Sequence, residues 1–562
     1  MQVSRRLLLS TGLAGLGAGL AGCSAPDEAP TSPGMTTTAA SSSAGTPPAS
    51  RTLVVGVPGR PLTRDPLHAW DVESQRVIRQ VLEPLLAVDP DTGSPVPGLA
   101  DHAESGNGLV HTFTLREGLE FSDGSACDAA AVVANIRRWA QTPQPGTPAA
   151  ALPSPFAAAF GGHAGQTGTA FASAEASDSR TVVLRLRRRL RHLPAALSSP
   201  AFGIAAPGSW TRTQQEDGVA VVTPLGTGPY RWAQPEEAAE LAAALTSPGA
   251  TTMLVVNGRH RGPAPEAGAV AVRAWGRAAT RLRELRRDRA DVIDVVSPAQ
   301  LRPLVESGTQ VLPRDPLSVL YLGMNLGHPV VGRQYVREAI AHAVDRGRLA
   351  ASDVFLQGTS AAEDLVPPAL GARNEDARRH EPNRDRARQL LDLAGYDGRP
   401  LEFLYPVDCA SPALPEPERV YAMVAAELGE VGIAVAPVPV PGDEDYLAAV
   451  LARPTRALHL MGRHGVYRDP HAFLEPFVGS WQTETGYDNP RVRQNLRAAA
   501  AEPDDDRRGE LFRAVVAAMA IDLPALPLAY PISALATGRR VISYPTSPQL
   551  DEPFAHIHLT DR

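Results

Sequence analysis

Residues 24–50 of this 562-residue chain are almost entirely Ser, Thr, Ala, Pro, Gly and acid. Such a stretch buries too little apolar surface to offset its ordering entropy, so it is expected to be a flexible tether and part of no core. Ahead of it, Met1–Ala21 has a charged start (Arg5, Arg6), an apolar run from Leu7 to Leu20, and then small residues. The run is too short and too rich in glycine for a membrane span and reads as an export signal. Ser4-Arg5-Arg6-Leu7-Leu8-Leu9 is similar to a twin-arginine signal, with a plain secretory signal as the alternative. Leu20-Ala21-Gly22-Cys23 is similar to a bacterial lipobox, in which the cysteine is acylated and becomes the first mature residue. The expectation is a signal peptide over 1–22, a lipidated Cys23 with its tether over 23–50, and an extracytoplasmic body held at the outer face of a membrane by its lipid. No later segment reads as a transmembrane helix.

Length gives a prior of about three to four domains. The chain carries 54 basic and 61 acidic residues, a net charge of −7, and this acidic excess gives no reason to expect nucleic acid. None of the basic residues is lysine. P-loop, Schiff-base and Ser-Lys chemistries are thereby excluded. The three cysteines, Cys23, Cys127 and Cys409, form no C-x-x-C, which argues against a zinc ribbon, a thioredoxin-type site or a disulfide scaffold. Two unpaired thiols are the simplest expectation for Cys127 and Cys409.

The body reads as alternating strands and helices. Thr52–Val57 is a continuous apolar run, expected as a buried strand. Leu109, His111, Phe113 and Leu115 share one face of a period-two strand, and Val182, Leu184 and Leu186 one face of another. Val420, Met423, Val424, Leu428 and Val431 form a helical stripe stopped by Gly432, with a strand expected at Ile433-Ala434-Val435. Ala387, Leu390, Leu391 and Ala394 form a second stripe stopped by Gly395, followed by a strand at Leu401–Tyr405. This succession predicts α/β layers with a largely parallel sheet. The dense run Arg185, Arg187, Arg188, Arg189 and Arg191 is expected as a solvated sheet edge.

Several blocks in order carry a resemblance. They are Val81-Leu82-Glu83-Pro84-Leu85-Leu86 with Pro97-Gly98-Leu99-Ala100, Phe113-Thr114-Leu115-Arg116-Glu117-Gly118 with Phe121-Ser122-Asp123-Gly124, and Gly226-Thr227-Gly228-Pro229-Tyr230. Further along come Tyr321-Leu322-Gly323-Met324-Asn325-Leu326, Val336-Arg337-Glu338-Ala339-Ile340, Asp469-Pro470-His471-Ala472-Phe473-Leu474 and Leu523-Pro524-Ala525-Leu526-Pro527-Leu528. Together they resemble the family 5 extracellular solute-binding proteins of ABC importers, the peptide- and nickel-binding group. The resemblance implies an α/β two-lobe clamshell of the periplasmic-binding-protein type (type II, class C) with an extra subdomain in lobe I. Lobe I would comprise 51–315 plus 531–562, with 96–215 as the extra subdomain, and lobe II 316–530. Crossings between lobes are expected near Asp315–Leu317 and Tyr530–Pro531. It also implies a monomer that closes on a small molecule or short peptide, docks on ABC permease subunits, and uses no cofactor and no metal.

The ligand chemistry of neither branch carries over. Where peptide-binding relatives place an aspartate for the peptide α-amine, this chain has Val466, flanked by Gly465 and Tyr467. Where the nickel branch places a histidine, this chain has Gln482, and Ser199-Pro200-Ala201-Phe202-Gly203 lacks that branch's arginine. Trp70, Gln75, Phe202, Asn325, His464, Tyr467 and Trp481 fall in segments that the resemblance places around the cleft and are the candidate ligand contacts. His459, His464 and His471 fit no metal-binding spacing and are expected to be ordinary surface or cleft residues. Gly226, Thr227 and Gly228 are expected to be a structural turn. A solute receptor for a short peptide or peptide-like compound is the favoured reading. The alternatives are a nickel- or metal-chelate-binding protein of the same family and a lipid-anchored extracytoplasmic hydrolase. No H-E-x-x-H motif, nucleophile elbow or P-loop favours an enzyme.

Overall fold

The computed structural model describes residues 51–560 apart from 91, 144–153, 217–218, 246–250, 443, 480–483 and 551. The export segment, Cys23 and the tether lie outside the described residues, as does Trp481.

Two large sheets dominate the body. In the first, seven strands run in the spatial order Tyr230–Trp232, Thr251–Val256, Ala269–Ala274, Thr52–Val57, Val292–Ile293, Ser533–Thr537, Gln310–Arg314. In the second, six strands run in the order Ser360–Ala361, Ala525–Tyr530, Ser318–Met324, Leu458–His464, Leu401–Val407, Val435–Pro441. The chain passes from the first to the second between Arg314 and Ser318 and returns between Tyr530 and Ser533. Thr52–Val57 is buried at every position, because Leu53, Val55 and Val57 enter one apolar cluster and Val54 another on the opposite face. A strand covered on both sides has no wet face to alternate with, hence the continuous apolar run.

Neither sheet is largely parallel. In the first, only Thr52–Val57 has parallel neighbours, Ala269–Ala274 and Val292–Ile293. In the second, only Leu401–Val407 does, paired with Val435–Pro441 and Leu458–His464. Helix Pro417–Glu430 carries the chain from Leu401–Val407 to its parallel partner Val435–Pro441, whereas the strands that flank the inter-sheet passages pair antiparallel.

A third, four-stranded antiparallel sheet runs in the order Ala100–Glu104, Val110–Leu115, Thr181–Leu186, Phe171–Ala176. The expected alternation holds: His111, Phe113 and Leu115 are buried, as are Val182, Leu184 and Leu186. Thr181–Leu186 is an inner strand, so the arginine run is not a sheet edge. Arg185 pairs across to Glu175 at 3.0 Å, and the later arginines fold back to tie loops, Arg189 to the Gly106 carbonyl at 2.8 Å and Arg191 to Asp505 at 2.6 Å.

Helix boundaries follow local chemistry. Asp71 caps Val72–Val81 by accepting from Ser74 N at 2.8 Å. Gly395, at φ 63°, ends Arg384–Ala394. Pro417–Glu430 stops before Gly432 (φ 93°), and the next strand begins at Val435, two residues later than the pattern predicts. Ile433 is spent on the stop, its N–H bonding back to the Leu428 carbonyl at 2.9 Å with its side chain buried.

The Gly226-Thr227-Gly228 turn packs on the end of helix Val72–Val81. Gly228 N donates to the Val81 carbonyl at 2.9 Å, and a Cβ at Gly226 would stand 1.9 Å from that same oxygen. Gly226→Ala is therefore expected to destabilise by about 2–3 kcal/mol through overpacking. Gly429→Ala, inside a helix with open space around the new methyl, should stabilise by about 0.5–1 kcal/mol. Denaturant titration of the two variants checks both signs.

Candidate functional site

Between the ends of the two large sheets lies a cavity of about 310 Å³. One wall comes from the loop and helix around Trp70, Asp71, Glu73 and Gln75, together with Phe202 near the four-stranded sheet. The other comes from the end of strand Leu458–His464, the following turn through Tyr467, and helix Pro470–Val478. That helix is held in place at its start. Asp469 caps it through His471 N at 2.9 Å and is itself gripped by Arg508 at 2.6 Å.

The charged groups of this second wall are unevenly satisfied. Glu484 is buried and accepts from the Tyr321 hydroxyl, with Arg463 at 3.5 Å and His459 at 3.9 Å. Burial opposes its ionisation, but the neighbouring imidazole and guanidinium hold the carboxyl down at about 2. Glu475, 4% exposed on helix Pro470–Val478, has no hydrogen-bond partner on either carboxyl oxygen among the described residues. Burial pushes its carboxyl up to about 8, against the pull of Arg463. His464 is driven down to about 4 by burial and by Arg463, so it is neutral at pH 7, and its Nε2 is unpartnered. On the facing wall burial raises Asp71 to about 6 and Glu73 to about 7. The cavity is thus largely apolar and aromatic, with Arg463 engaged by Glu484 and Tyr321, an exposed Arg60, and in Glu475 a buried carboxyl uncommitted among the described residues.

Five of the sequence candidates line this one cavity: Trp70, Gln75, Phe202, His464 and Tyr467. Gln75 donates to the Ala69 carbonyl at 3.1 Å, and Phe202 packs edge-on against Trp139 at 5.4 Å. Tyr467 bonds His471 Nδ1 at 3.1 Å and stacks on His192 at 5.8 Å. Asn325 is not a cleft residue. Its amide donates to the carbonyls of Pro454 and Arg456 at 3.0 and 2.9 Å and accepts from Gly327 N at 3.1 Å, so it builds a loop and has nothing left for a ligand. Among the described residues no group of three or more His, Cys, Asp and Glu is arranged to hold a metal. Cys127 and Cys409 are both free; Cys409 lines the cavity, and burial raises both thiols to about 12. Glu475 went unnoticed in the sequence, where its only signal is a single acid inside the apolar run Phe473-Leu474-Glu475-Pro476-Phe477-Val478.

The model for bacterial extracellular solute-binding proteins, family 5 (middle), matches residues 94–485. A glutathione-binding protein, GsiB of Salmonella paratyphi A, is 26% identical over 353 residues, which are 62% of this chain and 62% of that protein. The chain thus spans about three-fifths of the length of that relative. Among solved structures, a dipeptide-binding protein from a Pseudoalteromonas species in complex with Met-Leu superposes with a TM-score of 0.79 at 18% identity, covering 91% of this chain and 100% of the other. The binding protein DppA from Helicobacter pylori, in complex with the peptide STSA, gives 0.78 at 20% identity, covering 91% and 98%. Likeness at this identity establishes the fold, that of the two-lobe periplasmic binding proteins.

Because Glu475 is protonated in the folded protein up to about pH 8 but only to about pH 4.5 when unfolded, the folded state holds the extra proton between these values. Stability from this group is full below pH 4.5 and is lost as pH rises through 8. Glu475→Gln, which keeps the neutral form, is expected to gain stability over wild type between pH 5 and 9, reaching about 2–4 kcal/mol. Thermal melts of both proteins across that range test it.

Proposed function

This chain belongs to family 5 of the bacterial extracellular solute-binding proteins, and we propose that it captures a short peptide or peptide-like solute and delivers it to an ABC permease. Members of the family are extracytoplasmic binding proteins. Our reading is that this one is a monomer without turnover, anchored by lipid at Cys23. Lobe I would comprise 51–315 plus 531–562, with 96–215 as its subdomain, and lobe II 316–530.

The observation that carries the ligand class is Glu475. A buried carboxyl without a hydrogen-bond partner among the described residues, inside an aromatic cavity, is costly unless a cation arrives to pair with it. A ligand ammonium fits that need. Glu475 would then take the part that an acid at position 466 cannot, since Val466 lines the same cavity. Trp70, His464 and Tyr467 would contact the ligand body. Glu475 is protonated at neutral pH before binding, so it would release a proton as it pairs with the ammonium.

Calorimetry of the full chain with a dipeptide panel and the N-acetylated counterparts is the test. Free-amine peptides should bind at least about tenfold more tightly than the acetylated ones, Glu475→Gln should erase that preference, and Tyr467→Ala should weaken binding by about 1–3 kcal/mol. Proton release should be visible as a buffer dependence of the heat. Equal binding of acetylated peptides would remove Glu475 from the reading, and peptides recovered cleaved after overnight incubation would replace a receptor with a hydrolase.

A further inference from the structure

Beside the cleft lies a second, separate cavity of about 30 Å³ whose chemistry has the opposite sign. Arg188, in the loop leaving strand Thr181–Leu186, and Arg497, on helix Pro490–Ala501, both line it. The Nη2 of Arg188 donates to the Gly168 carbonyl at 3.2 Å, while its Nη1 is buried without a hydrogen-bond partner among the described residues. The guanidinium of Arg497 lies over the same glycine, within 3.2 Å of where a Cβ would stand, and that of Arg188 lies within 2.7 Å of the corresponding point on Gly161. Both glycines have positive φ, 72° and 92°, so the floor on which the two side chains rest is one that a larger residue would disrupt.

The surrounding arginines each have an acid. Arg191 has Asp505, Arg493 has Asp488 and Arg508 has Asp469, all at 2.6 Å. Arg188 and Arg497 have no carboxylate within 4 Å among the described residues, and the charge of Arg497 works with burial to depress the ionisation of Arg188. The one acid among the lining residues, Glu475, keeps its proton at neutral pH while the cleft is empty and does not then cancel them. Two guanidiniums converging without an acid are stabilised by a bound oxyanion, which accepts from both forks at once. Arg497 is exposed and Arg188 half-buried, so an anion would meet the two guanidiniums from the solvent side, the enclosed 30 Å³ holding no more than a water or two.

We propose that Arg188 and Arg497 form an oxyanion site, for phosphate or a carboxylate headgroup, at the seam between the four-stranded sheet and helix Pro490–Ala501. Its occupant bridges the two elements at a place where the protein's own charges repel. Glu475 lines both cavities, so the site is tested in the absence of any peptide, with that carboxyl still protonated.

The test compares wild type, the double variant Arg188→Gln/Arg497→Gln, and the control Arg286→Gln, an exposed arginine on another helix. Melting temperature of the full chain is read against sodium phosphate and sodium succinate, with sodium chloride at matched ionic strength as the reference. Wild type and control should show a saturable rise, about 2 °C at a hundredfold excess over Kd for a chain of this length. The double variant should show none, and without added anion it should melt no lower than wild type, because a repulsion has been removed. A response to phosphate alone or to succinate alone identifies the source of the anion, and either supports the site. Equal responses in wild type and double variant, or no response beyond chloride in either, would overturn it. A double variant that melts well below wild type without anion would also overturn it, since the arginines would then be structural.

Discussion

A buried cluster of five charges holds the first sheet to the rest of the body. Arg76 and Arg314 are almost wholly buried, as are Asp294 and Glu552, and Glu73 is nearly so. Arg314 reaches Asp294 and Glu552, both at 2.6 Å; Arg76 reaches Glu73 at 3.0 Å, Asp294 more closely, and Glu552 at 3.6 Å. The members come from segments remote in sequence: the helix that forms one cleft wall, the residue after strand Val292–Ile293, the strand that leads to the inter-sheet passage, and the C-terminal tail. Removing any one partner strands a buried charge, a cost of about 3–5 kcal/mol for pairs of this kind. Such a cluster is weak as a source of stability compared with an apolar core of equal volume. Its value is in registry, because the charges pair only when all of these segments come together.

The charge balance within the cluster is informative about the cleft. Two guanidiniums face three carboxyls. Asp294 is held well below the usual carboxylate range by Arg314 and Arg76 despite its burial. Glu73 bears the surplus, pushed up to about 7 by burial in spite of Arg76. It is also the member that lines the cavity. The carboxyl pushed up to about 7 is therefore the one that faces the ligand space, while burial also raises Glu552 and the two guanidiniums keep Asp294 charged.

Much of this architecture was legible in the sequence, for physical reasons that differ by element. Thr52–Val57 and the alternating pair Val110–Leu115 and Thr181–Leu186 were legible because burial on two faces or one writes directly into residue order. Strand direction was not, since a helix between two strands predicts parallel pairing only when both belong to one crossover, and here the chain changes sheets twice. The arginine run misled for a related reason: charge on a strand signals water or a partner, and Arg185 has Glu175. Asn325 sat in a block that resembled a family motif near the cleft, yet its chemistry is that of a loop closure. Glu475 was hidden because one acid in an apolar helix looks like a helix with one wet position. Only the packing around it reveals that the position is dry.

The placement of Glu475 on its helix sharpens what that dry carboxyl is suited for. Helix Pro470–Val478 begins at an aspartate cap and ends at Gly479, so Glu475 stands in the last turn, where the unpaired carbonyls carry partial negative charge. A carboxylate there is disfavoured twice, by the missing water and by the helix end. The nearby Arg463 relieves it only in part, because its guanidinium is shared with Glu484 and the Tyr321 hydroxyl and lies over the Phe477 ring at 5.4 Å. An anion on the cleft side of this corner would meet a neutral acid and a helix C-terminus, because Arg188 and Arg497 line the other cavity and not the cleft. A cation would meet a carboxyl able to ionise and a helix end of complementary sign, with aromatic faces around it. The same features that make position 475 a poor place for a structural acid make it a receptive place for an ammonium group.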